Sequence, residues 1–377
     1  MHCTIKKVEN NKDLLNFIKS QWSFYKNNPN FVPPLISERK AILDKEKNPL
    51  YEHADYQLFI AENAQGNIVG RIGAIENRRH NMIHKDKVGF WGFFECVDDQ
   101  EVANSLFDAA ADWLKQKGLN VMRGPVNPTF NDDLGMLLNA YDQPPVVLMP
   151  YNPEYYPALC DNYGFKKAKD LYAYLLNHDT FCSEKLLRLA SLIKERHKID
   201  IRCIDFKDKK QLQKDIDVIR EIYNAAWQPN WGFVKMTDKE FNHMAHDLVS
   251  YGLSETTLMA EIEGKPVGFA LALPDMNQVL IHNKNGGMLG AGIQLLARKK
   301  KIDLVRIIVL GILPEYQKLG VDALLYYTIG ENAYKVGISK GEASWILEDN
   351  LMMNRALTQT MHAYHYKTYR IYDKNID

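Results

Sequence analysis

The stretch from Ile307 to Tyr326, IIVLGILPEYQKLGVDALLY, holds residue types and spacings that suit the binding of an anion. An apolar run broken only by Gly311 ends at Pro314. A short polar loop carries Gly320, and apolar residues then recur at helical spacing at Val321, Leu324 and Leu325. The pattern predicts a strand, a tight loop and a helix. Backbone N–H groups gathered at a helix N-terminus, backed by the helix dipole, favour a phosphate or pyrophosphate. Taken alone, the residues Gln317, Lys318, Leu319, Gly320, Val321 and Asp322 read equally as an ordinary strand-to-helix turn.

Rival chemistries lack their residues. The sequence has no G-x-S-x-G elbow and no H-E-x-x-H helix. His243 with His246, and His362 with His365, have helical spacing but no third ligand, so no metal site is expected. Gly286, Gly287, Gly290 and Gly292 form a weak phosphate-loop mimic without the G-K-[ST] that a nucleoside triphosphate site requires, and read as a flexible connection.

The elements that position the anion loop belong to a chain of 377 residues, long enough for two domains, with 46% hydrophobic residues for packed cores. Lys plus Arg balances Asp plus Glu at 47 each, so no net field draws the whole molecule to nucleic acid or an anionic membrane. The run Arg298-Lys299-Lys300-Lys301 reads as a solvated helix end. Five cysteines without a C-x-x-C pair, and a polar start without a signal-peptide core, point to reduced thiols in the cytoplasm. No apolar run approaches the roughly 20 residues needed to cross a bilayer.

A faint internal repeat runs through the chain. Phe31-Val32 with Glu38 recurs as Phe233-Val234 with Glu240. Ala61-Glu62, Gly66 and Val69-Gly70 recur as Ala260-Glu261, Gly264 and Val267-Gly268. Asn152, Lys169 and Tyr174 recur as Asn350, Lys367 and Tyr372. The offset stays between 198 and 202 residues, which predicts two copies of one unit.

In the first copy, Leu58–Ile75 reads as a β-hairpin turned at Gly66, and Phe90–Cys96 as a further strand. The next residues carry Asp98, Asp99 and Glu101 before a helix over Val102–Lys117. Acids cap a helix but repel a phosphate, so this copy has the layout without the anion site. An insertion with Asn127, Asn131, Asp132 and Asp133 among prolines reads as a fixed loop held by side chain to backbone hydrogen bonds, with a substrate-facing polar cluster as the alternative. The second copy is predicted to be led in by a helix over Ser183–His197 capped by Ser183, and repeats the hairpin at Leu258–Leu273. Between its first two helices lie Trp227, Trp231 and Phe233, either a lid over an apolar group or packed core aromatics. A capping box at Thr237 and Glu240 opens the next helix.

Gln317-Lys318-Leu319-Gly320-Val321-Asp322 resembles the Q/R-x-x-G-x-G/A signature of the GNAT acyltransferase superfamily, with Asp322 where that pattern has Gly or Ala. Asn152 to Phe165 resembles the last helix and strand entry of a GNAT domain, and the resemblance extends over nearly the whole chain as a bacterial tandem. It implies an α/β fold of two GNAT-like domains, 1–180 degenerate and 181–377 carrying the donor loop, each a central mixed β-sheet flanked by helices. It further implies that the pantetheine arm of acyl-coenzyme A lies between two splayed strands, near the backbone of Leu310 and Ile312, that Gln317 to Asp322 cradle the pyrophosphate, and that Asn350 borders the donor. At the position of the family's general-acid Tyr stands Leu357, and its Gly-Phe entry is Met361-His362.

The reaction implied is attack of a small-molecule amine on the thioester of acetyl-CoA or a longer acyl-CoA. Tyr366 is the candidate acid for the thiolate and Glu348 the candidate base, while Trp227, Trp231 and Phe233 border the acceptor. Two alternatives stand beside it. One is a long-chain N-acyl amino acid synthase supplied by acyl carrier protein, and the other a catalytically silent tandem that only binds a ligand or partner.

Overall fold

The computed structural model describes residues 2–181 and 184–377, so the predicted cap Ser183 lies outside the described residues. In chain order the first copy comprises β1 (Cys3–Lys7), α1 (Asn11–Phe24), α2 (Ile36–Ile42), β2 (Ala54–Asn63), β3 (Ile68–Asn77), α3 (Arg78–His84), β4 (Val88–Cys96), α4 (Gln100–Gln116) and β5 (Val121–Gly124). The short strands β6 (Val126–Asn127), β7 (Asp133–Leu134) and β8 (Met136–Leu137) follow, then α5 (Tyr156–Tyr163) and β9 (Lys166–Asn177).

The second copy repeats this order after a lead-in of α6 (His178–Phe181) and α7 (Glu184–His197). It comprises β10 (Ile199–Cys203), α8 (Lys209–Trp227), α9 (Asp238–Tyr251), β11 (Thr257–Ile262) and β12 (Lys265–Pro274). An insertion with α10 (Asn277–Leu280) and α11 (Met288–Arg298) precedes β13 (Leu304–Ile312), α12 (Val321–Lys335), β14 (Lys340–Leu347), α13 (Leu351–Arg355) and β15 (Tyr364–Asn375).

Local chemistry accounts for the element boundaries. Asn10 caps α1 through the amides of Lys12 and Asp13, and Asp208 caps α8 in the same way. The predicted capping box is present, with Thr237 and Glu240 each accepting from the other's backbone. Each copy closes on a single strand after its last short helix, β9 or β15.

Where the sequence suggests a division near residue 180, contacts group the chain differently. One unit contains residues 1–171, 280–296 and 367–377, and the other residues 172–279 and 297–366. In the first unit β1, β2, β3 and β4 form an antiparallel meander, β5 joins β4 in parallel, and the end of β15 pairs antiparallel with β5 from Tyr372↔Gly124 to Asn375↔Val121. Trp91, Phe94, Phe107, Tyr156, Phe165 and Tyr372 pack between this sheet, α4 and α5. In the second unit β10 to β13 form the same meander and β14 joins β13 in parallel. Its core gathers Leu212, Ile216, Tyr223 and Phe241 against Met259 and Phe269.

The glycine segment after α10 departs from the flexible connection read from sequence. Asn283 Nδ2 donates to the Gly287 carbonyl at 3.0 Å, Ile36 N–H donates to that of Gly286 at 3.0 Å, and Trp22 Nε1 donates to that of Lys284 at 2.7 Å. These bonds are satisfied only when the segment is held against α1 and α2.

His80, on α3, is 1% exposed against Phe90 and Phe130. Burial, helped by the charges of His84 and Arg123, pushes its imidazole down to about 3. Between that value and the ordinary value near 6.5, the unfolded chain binds a proton that the folded chain does not. Stability at neutral pH is therefore lost as pH falls below about 6.5, by roughly 1 kcal/mol per unit from this group. Denaturant titrations at several pH values should show a steeper acid loss in wild type than in His80→Leu, and equal slopes would contradict this account.

Candidate active site

In the second copy β13 and β14 pair only from Leu304↔Lys340 to Ile307↔Ala343. The cause lies in β13. Its register against β12 jumps from Ile307↔Ala272 to Val309↔Leu271, leaving Ile308 as an extra residue that bends the strand. Beyond that point β13 runs on to Ile312 and β14 to Leu347 without pairing to each other. Ile308, Val309 and Leu310 on one strand, and Trp345 and Ile346 on the other, are only half-buried. The result is an apolar slot edged by strand backbone.

The first copy makes the same split and closes it. β4 and β5 pair from Val88↔Val121 to Phe90↔Arg123, and β4 carries its own extra residue between the pairs Arg71↔Glu95 and Gly73↔Gly92, where Phe93 takes φ +50°. Here every residue of β4 is buried. The ribbon of β6 and β7 enters the gap, and Asn127 Oδ1 accepts the hydrogen bond of Phe93 N–H. Gly92 permits the approach, because a Cβ there would lie 2.0 Å from the Val126 carbonyl oxygen. Side chain to backbone bonds of the expected kind are present, with Asp132 accepting from Thr129 N–H and Thr129 Oγ1 accepting from Asn131 N–H, each at 3.1 Å, and Arg39 also pairs with Asp133 at 3.0 Å. Asn127, read from sequence as part of a fixed loop or of a substrate-facing polar cluster, occupies the strand edge that the second copy leaves uncovered.

The loop after β13 turns through Pro314–Leu319, and Gly320, at φ +77°, opens α12 without a side-chain cap. A Cβ on Gly320 would meet Ile193 Cδ1 of α7 at 2.6 Å. Gln317 and Lys318 are exposed and Leu319 is half-buried, whereas the Val321 side chain belongs to the core. Gln317 Nε2 donates to the Ile312 carbonyl at 3.3 Å, which ties the loop to the end of β13. Burial pushes the Asp322 carboxyl up, against hydrogen bonds from the amides of Ala323 and of Asp322 itself. An acid thus lies in the first turn of α12, near where a phosphate would meet the helix N-terminus. In the first copy Asp99 caps the helix outright, accepting from Glu101 and Val102 N–H at the start of α4.

The two residues expected to do proton chemistry have different surroundings. Tyr366 is buried and its hydroxyl donates to Glu342 Oε2, a carboxylate with no exposed surface, six residues before Glu348 on the chain. Ser344 Oγ donates to the other oxygen of Glu342, and Arg306 Nε donates to Ser344 Oγ at 2.8 Å. A phenol committed in this way holds Glu342 in place before it serves any thiolate. Glu348 is half-buried just past β14, and its carbonyl accepts from Asn354 Nδ2. Asn350 is exposed and caps α13 through Met353 N–H. Leu357 is fully buried in the turn that follows. The sequence reading missed Arg306, Glu342 and Ser344, although a charge inside each of the runs LVRIIVLGI and KGEASWIL signals a buried partner.

Trp227 ends α8, stacks on Tyr223 at 5.3 Å and meets Trp345 edge-on at 6.4 Å, so it reaches the slot. Phe233 packs edge-on against Tyr223 at 5.6 Å as part of the core margin, and Trp231 is half-buried. Among the described residues no group of three or more His, Cys, Asp or Glu could hold a metal.

Two substitutions test this geometry. Asn127→Ala strands the buried Phe93 N–H and should cost about 1–3 kcal/mol in denaturant unfolding, with thioester affinity in calorimetry unchanged. Tyr366→Phe should lower stability on the same scale of about 1–3 kcal/mol and leave thioester affinity unchanged. A rate loss of about 10²-fold at unchanged stability would instead make Tyr366 the proton donor.

No family model matches the sequence. The chain is 34% identical to protein YghO of Escherichia coli K12 over 99% of its own length and 95% of that protein. It is 30% identical to the bacterial ceramide synthase of Caulobacter vibrioides over 97% of its length and 96% of that enzyme. A tandem GNAT protein from the clavulanic acid biosynthesis pathway has the same fold, with a TM-score of 0.57 at 9% identity over 100% of this chain and 99% of that one. The split fourth strands, the helix-initiating glycine loop and these relatives agree: the chain is an acyltransferase with the fold of the GCN5-related N-acetyltransferases and belongs to the family of protein YghO and bacterial ceramide synthase.

Proposed function

We propose that the chain transfers a fatty acyl group from a thioester to the amine of a small acceptor, with the donor bound by the second copy alone. The observation that carries this reading is the contrast between the two splits, one filled by Asn127 and the other bordered by half-buried apolar side chains. A pantetheine arm lies along the exposed edge of β13 near Leu310 and Ile312, and its phosphates meet the amides from Lys318 to Asp322 and the Lys318 ammonium. Ile308, Trp345 and Trp227 favour an apolar acyl group over an acetyl group. The relative named bacterial ceramide synthase supports the same acyl class and makes a long-chain amino alcohol the first acceptor to try.

Chemically, the neutral amine attacks the thioester carbonyl, a C–N bond forms and the C–S bond breaks. Glu348 or a water removes the amine proton, and solvent protonates the thiolate, a good leaving group. Strand N–H groups at the bulge near Ile308 stabilise the oxyanion. Positioning falls to Arg306, Ser344, Glu342 and Tyr366, which fix β14 where it leaves β13.

Asp322 favours a second reading of the donor. A carboxylate in the first turn of α12 opposes pyrophosphate, which supports acyl carrier protein, with its single phosphodiester, as the natural carrier. Asp322→Ala should tighten CoA binding about tenfold, on the scale of a charge at a helix N-terminus, and leave turnover of acyl carrier protein unchanged. Unchanged CoA affinity would show that the carboxylate does not compete.

The direct test supplies a long-chain acyl-CoA or acyl carrier protein with a long-chain amino alcohol, following thiol release and the amide by mass spectrometry. Amine-dependent thiol release is expected, with Glu348→Gln slower by about 10²-fold if the carboxylate is the base. Amide formation from neither donor would overturn the reading.

A further inference from the structure

α11 presents its surfaces in reverse of an ordinary surface helix. The arc that faces solvent carries Met288, Leu289, Ile293 and Leu296 with only Gly292 and Ala297 between them, and Leu289 and Leu296 are each 82% exposed. The polar side chains Gln294 and Arg298 turn inward instead, where both have partners. A helix in water places its polar residues outward. An apolar face of this kind therefore needs a cover, and an exposed apolar patch marks an interaction site.

This face is also held in place. The segment that enters α11 is fastened by the bonds from Trp22, Ile36 and Asn283, so the apolar arc is displayed by a fixed support. At its far end the chain passes without a break into Lys299, Lys300 and Lys301, all exposed. The helix has 11 residues, and no helix among the described residues is long and apolar enough to cross a membrane.

We infer that α11 is an interfacial anchor that lies in the surface of an anionic phospholipid bilayer, with its apolar arc among the acyl chains and the lysines on the headgroups. Apolar side chains next to a lysine run match such a surface, whereas a protein interface is depleted of lysine. The run that sequence alone reads as a solvated helix end becomes the electrostatic half of the anchor. The inference stands on this helix and does not rest on the acyl-transfer reading.

The experiment is co-sedimentation of the full chain with vesicles of phosphatidylcholine alone or with about 30% phosphatidylglycerol, at low and high salt. Binding to the anionic vesicles is expected, weakened about tenfold or more by high salt. The double variant Leu289→Gln/Leu296→Gln should lose binding about tenfold or more. The triple variant Lys299→Glu/Lys300→Glu/Lys301→Glu should lose it selectively on anionic vesicles. Circular dichroism and amine-dependent thiol release from a soluble donor should match wild type in both, which separates loss of anchoring from loss of fold or transfer. No sedimentation with either vesicle, or unchanged binding in the variants, would overturn the proposal. So would a wild-type dimer that the leucine variant dissociates, since a second copy would then be the cover.

Discussion

One extra residue in a strand sets the terms for each copy. A bulge at Ile308, or at Phe93, bends the fourth strand so that the fifth follows it for only a few residues. The backbone groups past the fork then lack a ladder partner, and a buried N–H or C=O without one costs about 1–3 kcal/mol. The first copy answers with its own chain, laying Asn127 against Phe93 and burying the whole of β4. The second copy has no such insertion after β14, and the same edge stays accessible between apolar walls. The same backbone problem is thus closed in one copy and left open in the other.

Buried charge sits close to each fork. In the first copy Arg71 donates to the Phe17 carbonyl at 2.7 Å and lies 3.5 Å from Glu95, which also receives Gln21 at 2.8 Å and Tyr156 at 2.7 Å. Burial raises the Glu95 carboxyl and lowers the Arg71 guanidinium, while their mutual attraction opposes both shifts. In the second copy Glu342 is held by Ser344 and Tyr366, with Arg306 behind Ser344. The two clusters use different positions of the repeat. What is kept is the physical need, since charges taken out of water hold only when each receives directed partners.

Much of this fold was legible in the residues. The repeated Val-Gly at 69–70 and 267–268 marked two hairpins, the Thr237–Glu240 capping box was visible by spacing, and Gly320 marked the start of a helix. The acids before α4 spoke against an anion there, and Asp99 takes two of the helix amides itself. Asp322, which departs from the family pattern, places a carboxyl in the first turn of α12. Contacts across the fork were not legible. Asn127 reaches Phe93 over 34 positions and Tyr366 reaches Glu342 over 24, and both depend on strand register. Nor does periodicity say which face of α11 points outward, since that is decided by where Trp22 and Ile36 hold its entry.

The account turns on where the thioester arm lies. A crystal structure of the full chain with a non-hydrolysable acyl-CoA thioether tests this most directly. It should place the arm between Ile308–Leu310 and Trp345, with the phosphates at the start of α12 and Asn127 still bonded to Phe93. An arm between β4 and β5 with Asn127 displaced, or one bound away from both forks, would contradict it.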